Sequence, residues 1–217
     1  MNKGGIIKMN ESMEKIYVFC DWIMKLAYLN VLWIIFSLMG MVVFGIAPAT
    51  VSVFVLIRKW LQKESVPIFK TFYFNYKKEF LQSNKLFLLF ILPAIALYLD
   101  FKLLLVSSLL AQILLFLPLL LVSISMMITV LYIFPVYVHY QLKTLEYVKQ
   151  AFIIALLNIH HTVLFILAIA LLSFMFTLFP GVFVFLGIPI IATMLMWGAT
   201  KSFLRVERKQ KTLINNI

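Results

Sequence analysis

Long apolar stretches separated by short charged segments run through most of this chain. Six of them are candidates for transmembrane helices, at about residues 26–44, 48–61, 86–99, 104–138, 162–179 and 182–200. A helix needs about 20 predominantly apolar residues to cross the roughly 30 Å of hydrocarbon in a bilayer. The pattern therefore predicts an all-α membrane protein in which residues 1–217 form a single domain.

The turns between these spans are predicted from local residues. The segment 45–48 (Gly-Ile-Ala-Pro) is the expected outer turn between spans one and two, because Pro48 suits the first turn of a helix. Span two is then short, so it is either a tilted partner in a tight hairpin or a partly re-entrant helix. Asp100 and Lys102 are charges in an otherwise apolar stretch, which predicts the outer turn between spans three and four.

Two further segments, residues 66–83 and 143–160, have the pattern of amphipathic helices. The first carries an aromatic stripe at helical spacing, formed by Phe69, Phe72, Tyr73, Tyr76 and Phe80. Such helices lie in the headgroup plane with their apolar face toward the acyl chains. We therefore expect two cytoplasmic interfacial helices. The apolar positions of the two segments coincide at an offset of 76 residues. This coincidence is either a weak internal repeat or chance agreement between two helical patterns.

Basic residues are distributed very unevenly along the chain. Of the 19 Lys and Arg residues, all except Lys102 lie in segments 1–25, 58–85, 143–149 and 201–211. Because basic segments stay on the cytoplasmic side, this predicts a multi-pass protein of a bacterial plasma membrane with both termini in the cytoplasm. The net charge of +11 has the same origin, so we expect anionic lipids at the cytoplasmic face, and no nucleic acid, as partners.

Motifs for catalysis or metal binding are not found in the sequence. The three histidines, His139, His160 and His161, have no metal-binding spacing, and no nucleophile or phosphate-loop motif occurs. No ionisable residue falls near the middle of a span, which argues against an ion-coupled carrier. Ser and Thr residues within spans are expected to bond to other helices or to the carbonyls of their own helix. We therefore expect no enzyme activity and no cofactor.

Three segments carry a resemblance to a known family: residues 20–40, 45–61 and 66–86. They resemble the YesL family of uncharacterised bacterial membrane proteins. The residues that carry the resemblance are Asn30, Trp33, Gly45, Pro48, Ala49, Thr50, Arg58 and Lys59. From the residues themselves, the small side chains at 48–50 suit close helix packing or the approach of a ligand to free N–H groups, with packing favoured. The basic pair at 58–59 suits interfacial anchoring, lipid phosphate or an acidic partner.

The resemblance implies an association with carbohydrate uptake, notably with ABC-type importers. Our first hypothesis is therefore an accessory membrane component that docks on importer subunits, with Lys70, Lys77 and Lys78 as candidate docking residues. The alternative is a stand-alone facilitator or channel for a small polar solute. An ABC permease proper is disfavoured because the segment 146–166 lacks the Gly of a typical coupling loop.

Overall fold

The computed structural model describes residues 11–215, and these form seven α-helices with no strand. The helices are α1 (Glu11–Met39), α2 (Val43–Leu61), α3 (Ile68–Val106), α4 (Leu109–His139), α5 (Thr144–Leu157), α6 (Ile159–Leu178) and α7 (Pro180–Asn215). All except α5 contain a stretch long and apolar enough to cross a membrane. The prediction of an all-α protein with six apolar spans is therefore confirmed. The basic residues Lys3 and Lys8 lie outside the described part.

Helix α2 is the centre of the packing. In the most apolar 18-residue stretch of α2, 56% of the residues are buried inside the protein, whereas the share in the corresponding stretch of α4 is 11%. It packs against α1, α3, α4 and α7. Small and branched residues such as Ala49, Val53 and Ile57 fill these contacts with almost no exposure. The large apolar residues exposed on α3, α4 and α6 suit contact with lipid chains.

The turn between α1 and α2 lies earlier than the sequence predicts. It is formed by Gly40–Val42, where Met41 and Val42 have φ angles of 58° and 62°. Pro48 therefore lies inside α2 and cannot donate to the carbonyl of Phe44, four residues before it. The amide Nδ2 of Asn84 on α3 donates to that carbonyl at 2.9 Å. This long-range bond lets the helix start before the proline, so the predicted turn at 45–48 is wrong.

The first predicted interfacial helix is not a separate element. Residues 68–83 continue without a break into span three, giving a 39-residue helix. Its aromatic stripe packs on α1: the rings of Phe72 and Tyr76 lie 5.1 and 5.0 Å from the ring of Phe36. The Tyr76 hydroxyl also donates to the Phe36 carbonyl at 3.0 Å. The stripe is a helix-packing face, and the expectation of an in-plane helix here is corrected.

The second amphipathic segment is a separate helix, α5, joined to α4 by a short linker. Its buried residues are Tyr147, Ala151, Ile154 and Ala155. Other apolar residues of the helix lie outside: Leu145 and Leu156 are 70% and 50% exposed. An exposed apolar face opposite a packed one fits a helix resting at the membrane interface.

The turn between α3 and α4 falls at Ser107 and Ser108, beyond the predicted position. Asp100 and Lys102 lie in the last two turns of α3. They are followed by Leu103–Val106, which complete the helix, so the charges mark the end of the span and not the turn itself. At the end of α3, the Ser107 hydroxyl donates to the Leu103 carbonyl at 2.8 Å.

The distribution of basic residues predicts which loops face the cytoplasm. In a Cys20→Ser background, which removes the exposed native thiol, Lys102→Cys is expected to react with a membrane-impermeant maleimide in intact cells. Lys149→Cys, equally exposed on α5, is expected to react only after the membrane is permeabilised. Labelling of position 149 in intact cells would contradict the predicted orientation.

Candidate functional site

Asn30, Trp33 and Thr50 join three helices by hydrogen bonds. Trp33 Nε1 on α1 donates to Thr50 Oγ1 on α2 at 3.0 Å, and that hydroxyl donates to the Ile46 carbonyl at 2.7 Å. The Nδ2 of Asn30, a buried residue, donates to the Val184 carbonyl of α7 at 2.6 Å. These residues hold α1 between α2 and α7, which makes them packing residues of the hairpin.

The small residues of the same group bring α1 and α2 into close contact. A Cβ on Gly45 would lie 2.8 Å from the Cα of Ser37 and would also overlap the Ser37 carbonyl oxygen. Ala49 and Pro48 are buried one turn further along α2. The closest approach is thus at Gly45, and the burial of Pro48 and Ala49 agrees with the packing interpretation of residues 48–50.

Arg58 and Lys59 are adjacent in sequence but lie in different environments. Arg58 Nη1 donates to the Val138 carbonyl at the end of α4, at 2.5 Å. Lys59 forms an exposed ion pair with Glu64, with 3.3 Å between the charged atoms. Consecutive residues on a helix are rotated by about 100°, because one turn takes 3.6 residues. The predicted basic pair is therefore two separate features.

A basic groove on the protein surface brings together the candidate docking residues. It has a volume of about 840 Å³, and its lining includes Lys59, Lys70, Lys77 and Lys78 together with Tyr73. Lys77 lies over the Tyr73 ring, 5.1 Å from its centroid. Within the described residues, neither Lys70 nor Lys77 has a carboxylate within 4.0 Å. The groove presents positive charge beside an aromatic surface, which suits an acidic partner.

Comparison with known proteins gives three relatives, all from Bacillus subtilis (strain 168). The chain is 34% identical to "Uncharacterized protein YteU" over 198 residues, which cover 91% of this chain and 89% of YteU. It is 32% identical to "Uncharacterized protein YesV" over 195 residues, covering 89% and 94%. The chain belongs to the YesL-like family. "Uncharacterized protein YesL" itself is 39% identical over 138 residues, covering 63% of this chain and 65% of YesL.

A family model described as a protein of unknown function, DUF624, matches residues 26–101. This range runs from the middle of α1 to near the end of α3 and contains every candidate site residue named above. No solved structure matches the chain. Within the YesL-like family, the matched range thus corresponds to the packed α1–α2 hairpin and the helix that crosses it.

Several polar residues that sequence patterns did not indicate meet at the C-terminal end of α4. The Tyr137 hydroxyl donates to Oε2 of Glu79 at 2.6 Å. The Tyr147 hydroxyl of α5 accepts from the Leu142 amide at 3.1 Å and donates to the Tyr140 carbonyl at 3.2 Å. These bonds tie the α4–α5 linker to α3 and α5. Glu79 and Tyr137 are 58 residues apart in the sequence, so no local motif predicts their contact.

Five hydroxyl groups within the spans donate to carbonyls of their own helices. Thr129, Ser123 and Thr193 donate to the carbonyls four residues before them, at 2.6 to 2.8 Å. Ser125 and Thr177 do the same with the carbonyls three residues before them. This confirms the prediction that these residues bond to helix carbonyls.

The close contact at Gly45 can be tested with a matched glycine. Gly45→Ala is expected to destabilise the protein by about 1–3 kcal/mol, the usual range for an overpacked site. Gly181→Ala, where an added Cβ meets nothing within 4 Å, is expected to be neutral or stabilising because Ala favours helix. Reversible unfolding in mixed micelles measures both. Equal effects of the two changes would contradict the close approach of α1 and α2.

Proposed function

We propose that this protein is an accessory, non-enzymatic subunit of the bacterial plasma membrane that assists an ABC-type carbohydrate importer. Both termini lie in the cytoplasm in this proposal, and no cofactor takes part. The partner is an importer subunit, and it presents an acidic cytoplasmic segment to the basic groove lined by Lys59, Lys70, Lys77 and Lys78. The composition of this groove is the observation that carries the proposal.

Charge and shape support docking at this groove. Lys70, Lys77 and Lys78 are exposed, and they surround apolar ring surface contributed by Tyr73 and Phe74. Interfaces that recognise charged partners combine such complementary charge with aromatic contacts. An isolated exposed ion pair contributes little to folding, so a cluster of lysines around an aromatic surface is better explained by binding than by stability.

The association with carbohydrate uptake comes from the family resemblance. The relatives YteU, YesV and YesL are described only as uncharacterised, and the link to importers is what resemblance to the YesL family implies. The absence of catalytic motifs in the sequence agrees with an assisting role.

A stand-alone facilitator is the second candidate, and its support is weaker. A facilitator needs a polar route between the helices, and the span hydroxyls described above are turned to their own helix carbonyls. Between α2 and α4, the rings of Phe54 and Phe134 stack with centroids 5.5 Å apart.

Charge reversal in the groove tests the docking proposal. The tagged full-length protein is purified in mild detergent from cells grown on complex polysaccharide, and co-purifying proteins are quantified by mass spectrometry. Recovery of importer subunits is expected to fall at least about tenfold in Lys77→Glu/Lys78→Glu, because two attractive charges become repulsive toward an acidic partner.

The matched control is Lys85→Glu/Lys149→Glu, which changes the net charge equally at exposed sites outside the groove. Recovery is expected to stay within twofold of the native protein, because the groove is intact. If no importer subunit is recovered with the native protein, or if the groove variant retains full recovery, the docking proposal fails.

A further inference from the structure

Two cavities lie next to one another between α2, α3 and α4. One has a volume of about 330 Å³ and is almost entirely apolar, and the other has about 550 Å³ and is largely polar. On α2, the apolar cavity is lined by Ile46 and Thr50, and the polar cavity by Val51, Val55 and Arg58. The lining thus changes from apolar to polar along the helix within about three turns.

The other two helices show the same order. On α3, Leu86 and Phe90 line the apolar cavity, whereas Asn75 and Gln82 line the polar one. On α4, the apolar part ends at Phe134 and the polar part begins three residues later, at Tyr137. The three helices therefore form one groove with an apolar end and a polar end, which we call the α2–α3–α4 groove.

The polar end contains a positive charge without a carboxylate partner. Arg58 is fixed by its bond to the Val138 carbonyl, and its Nε is buried without a hydrogen-bond partner in the described chain. The nearby carboxylate of Glu79 is bound by the Tyr137 hydroxyl and lies 3.6 Å from Lys78. A partly buried guanidinium with free donor capacity is a suitable site for a phosphate group.

The apolar end is open to the side of the protein. Ala94 on α3 and Val130 on α4 line this cavity and are both exposed. These positions lie within apolar spans, where the surrounding solvent is lipid hydrocarbon. An acyl chain can therefore enter the cavity laterally from the bilayer.

We propose that the α2–α3–α4 groove binds one anionic lipid, with its phosphate at Arg58 and an acyl chain in the apolar cavity. Asn75 and Lys78 line the polar cavity and supply further donors to the headgroup. The charge at one end and the apolar lining at the other match the two parts of a single amphiphile. Asn75 and Lys78 also line the basic groove, whereas Arg58 and Ala94 lie outside it, so variants at these two positions test the lipid site separately from the proposed function.

Native mass spectrometry of the full-length protein in mild detergent tests the site. Phosphatidylglycerol and phosphatidylcholine with identical chains are titrated separately. One phosphatidylglycerol is expected to bind more tightly than phosphatidylcholine. Arg58→Gln is expected to weaken phosphatidylglycerol binding by about tenfold or more, the loss expected when a charge-assisted hydrogen bond is removed. Lys59→Gln removes the same charge one residue away and is expected to have no such effect.

A second variant tests the apolar end independently. Ala94→Phe places a ring in the cavity at an exposed position, so the fold is expected to tolerate it. It is expected to weaken lipid binding several-fold by filling the space of the chain. The unfolding midpoint of each variant without added lipid shows whether its fold is intact.

Three outcomes would overturn the proposal. Equal affinity for the two lipids would show that Arg58 does not recognise the headgroup charge. Unchanged binding in Ala94→Phe would show that no chain occupies the apolar cavity. Full competition by millimolar inorganic phosphate, with no effect of Ala94→Phe on phosphate binding, would assign the polar cavity to a free anion instead of a lipid.

Discussion

A backbone carbonyl without a partner is costly in hydrocarbon, because no water is present to donate the missing hydrogen bond. Pro48 creates such a carbonyl at Phe44 in the most buried helix of this protein, and Asn84 supplies the donor. Three other long side chains serve interhelical carbonyls in the same way: Tyr76 to Phe36, Asn30 to Val184 and Arg58 to Val138. These bonds fix how α1, α3, α4 and α7 are arranged around α2.

This pattern explains why buried polar residues occur in a largely apolar helix bundle. Asn30 and Asn84 are buried among apolar residues, where an amide needs a specific acceptor. A donor directed at a carbonyl of another helix pairs the amide N–H with that carbonyl and favours one arrangement of the helices. The family-matched range, residues 26–101, contains both asparagines and the proline, so it covers the bond that holds the hairpin to α3.

Much of the fold could be predicted from the sequence, because apolar length alone identifies membrane-spanning helices. The number of spans followed from it, whereas the separate helix α5 followed from an amphipathic pattern. The position of the α1–α2 turn did not, because the donor for Phe44 lies 40 residues away and no local pattern reveals it. Helical periodicity located the aromatic stripe of α3, but periodicity cannot tell whether lipid or another helix covers a face.

The candidate site was predicted in part for similar reasons. Lys70, Lys77 and Lys78 were expected to act together, and they line one groove with Lys59. Arg58 and Lys59 were predicted to act as a pair, but the rotation of about 100° between consecutive helix residues gives their side chains different partners. Its actual surroundings, including Glu79 and Tyr137, arise only when α3 and α4 come together. Sequence patterns describe one helix at a time, so they do not predict sites that form between helices.

The central claim is that Asn84 replaces the hydrogen bond that Pro48 removes, and a double-mutant cycle tests it directly. Asn84→Leu is expected to destabilise the native protein by about 1 kcal/mol or more. In a Pro48→Ala background the backbone N–H is restored, so the same change is expected to cost distinctly less. Reversible unfolding in mixed micelles gives all four stabilities. Equal costs of Asn84→Leu in the two backgrounds would contradict the account.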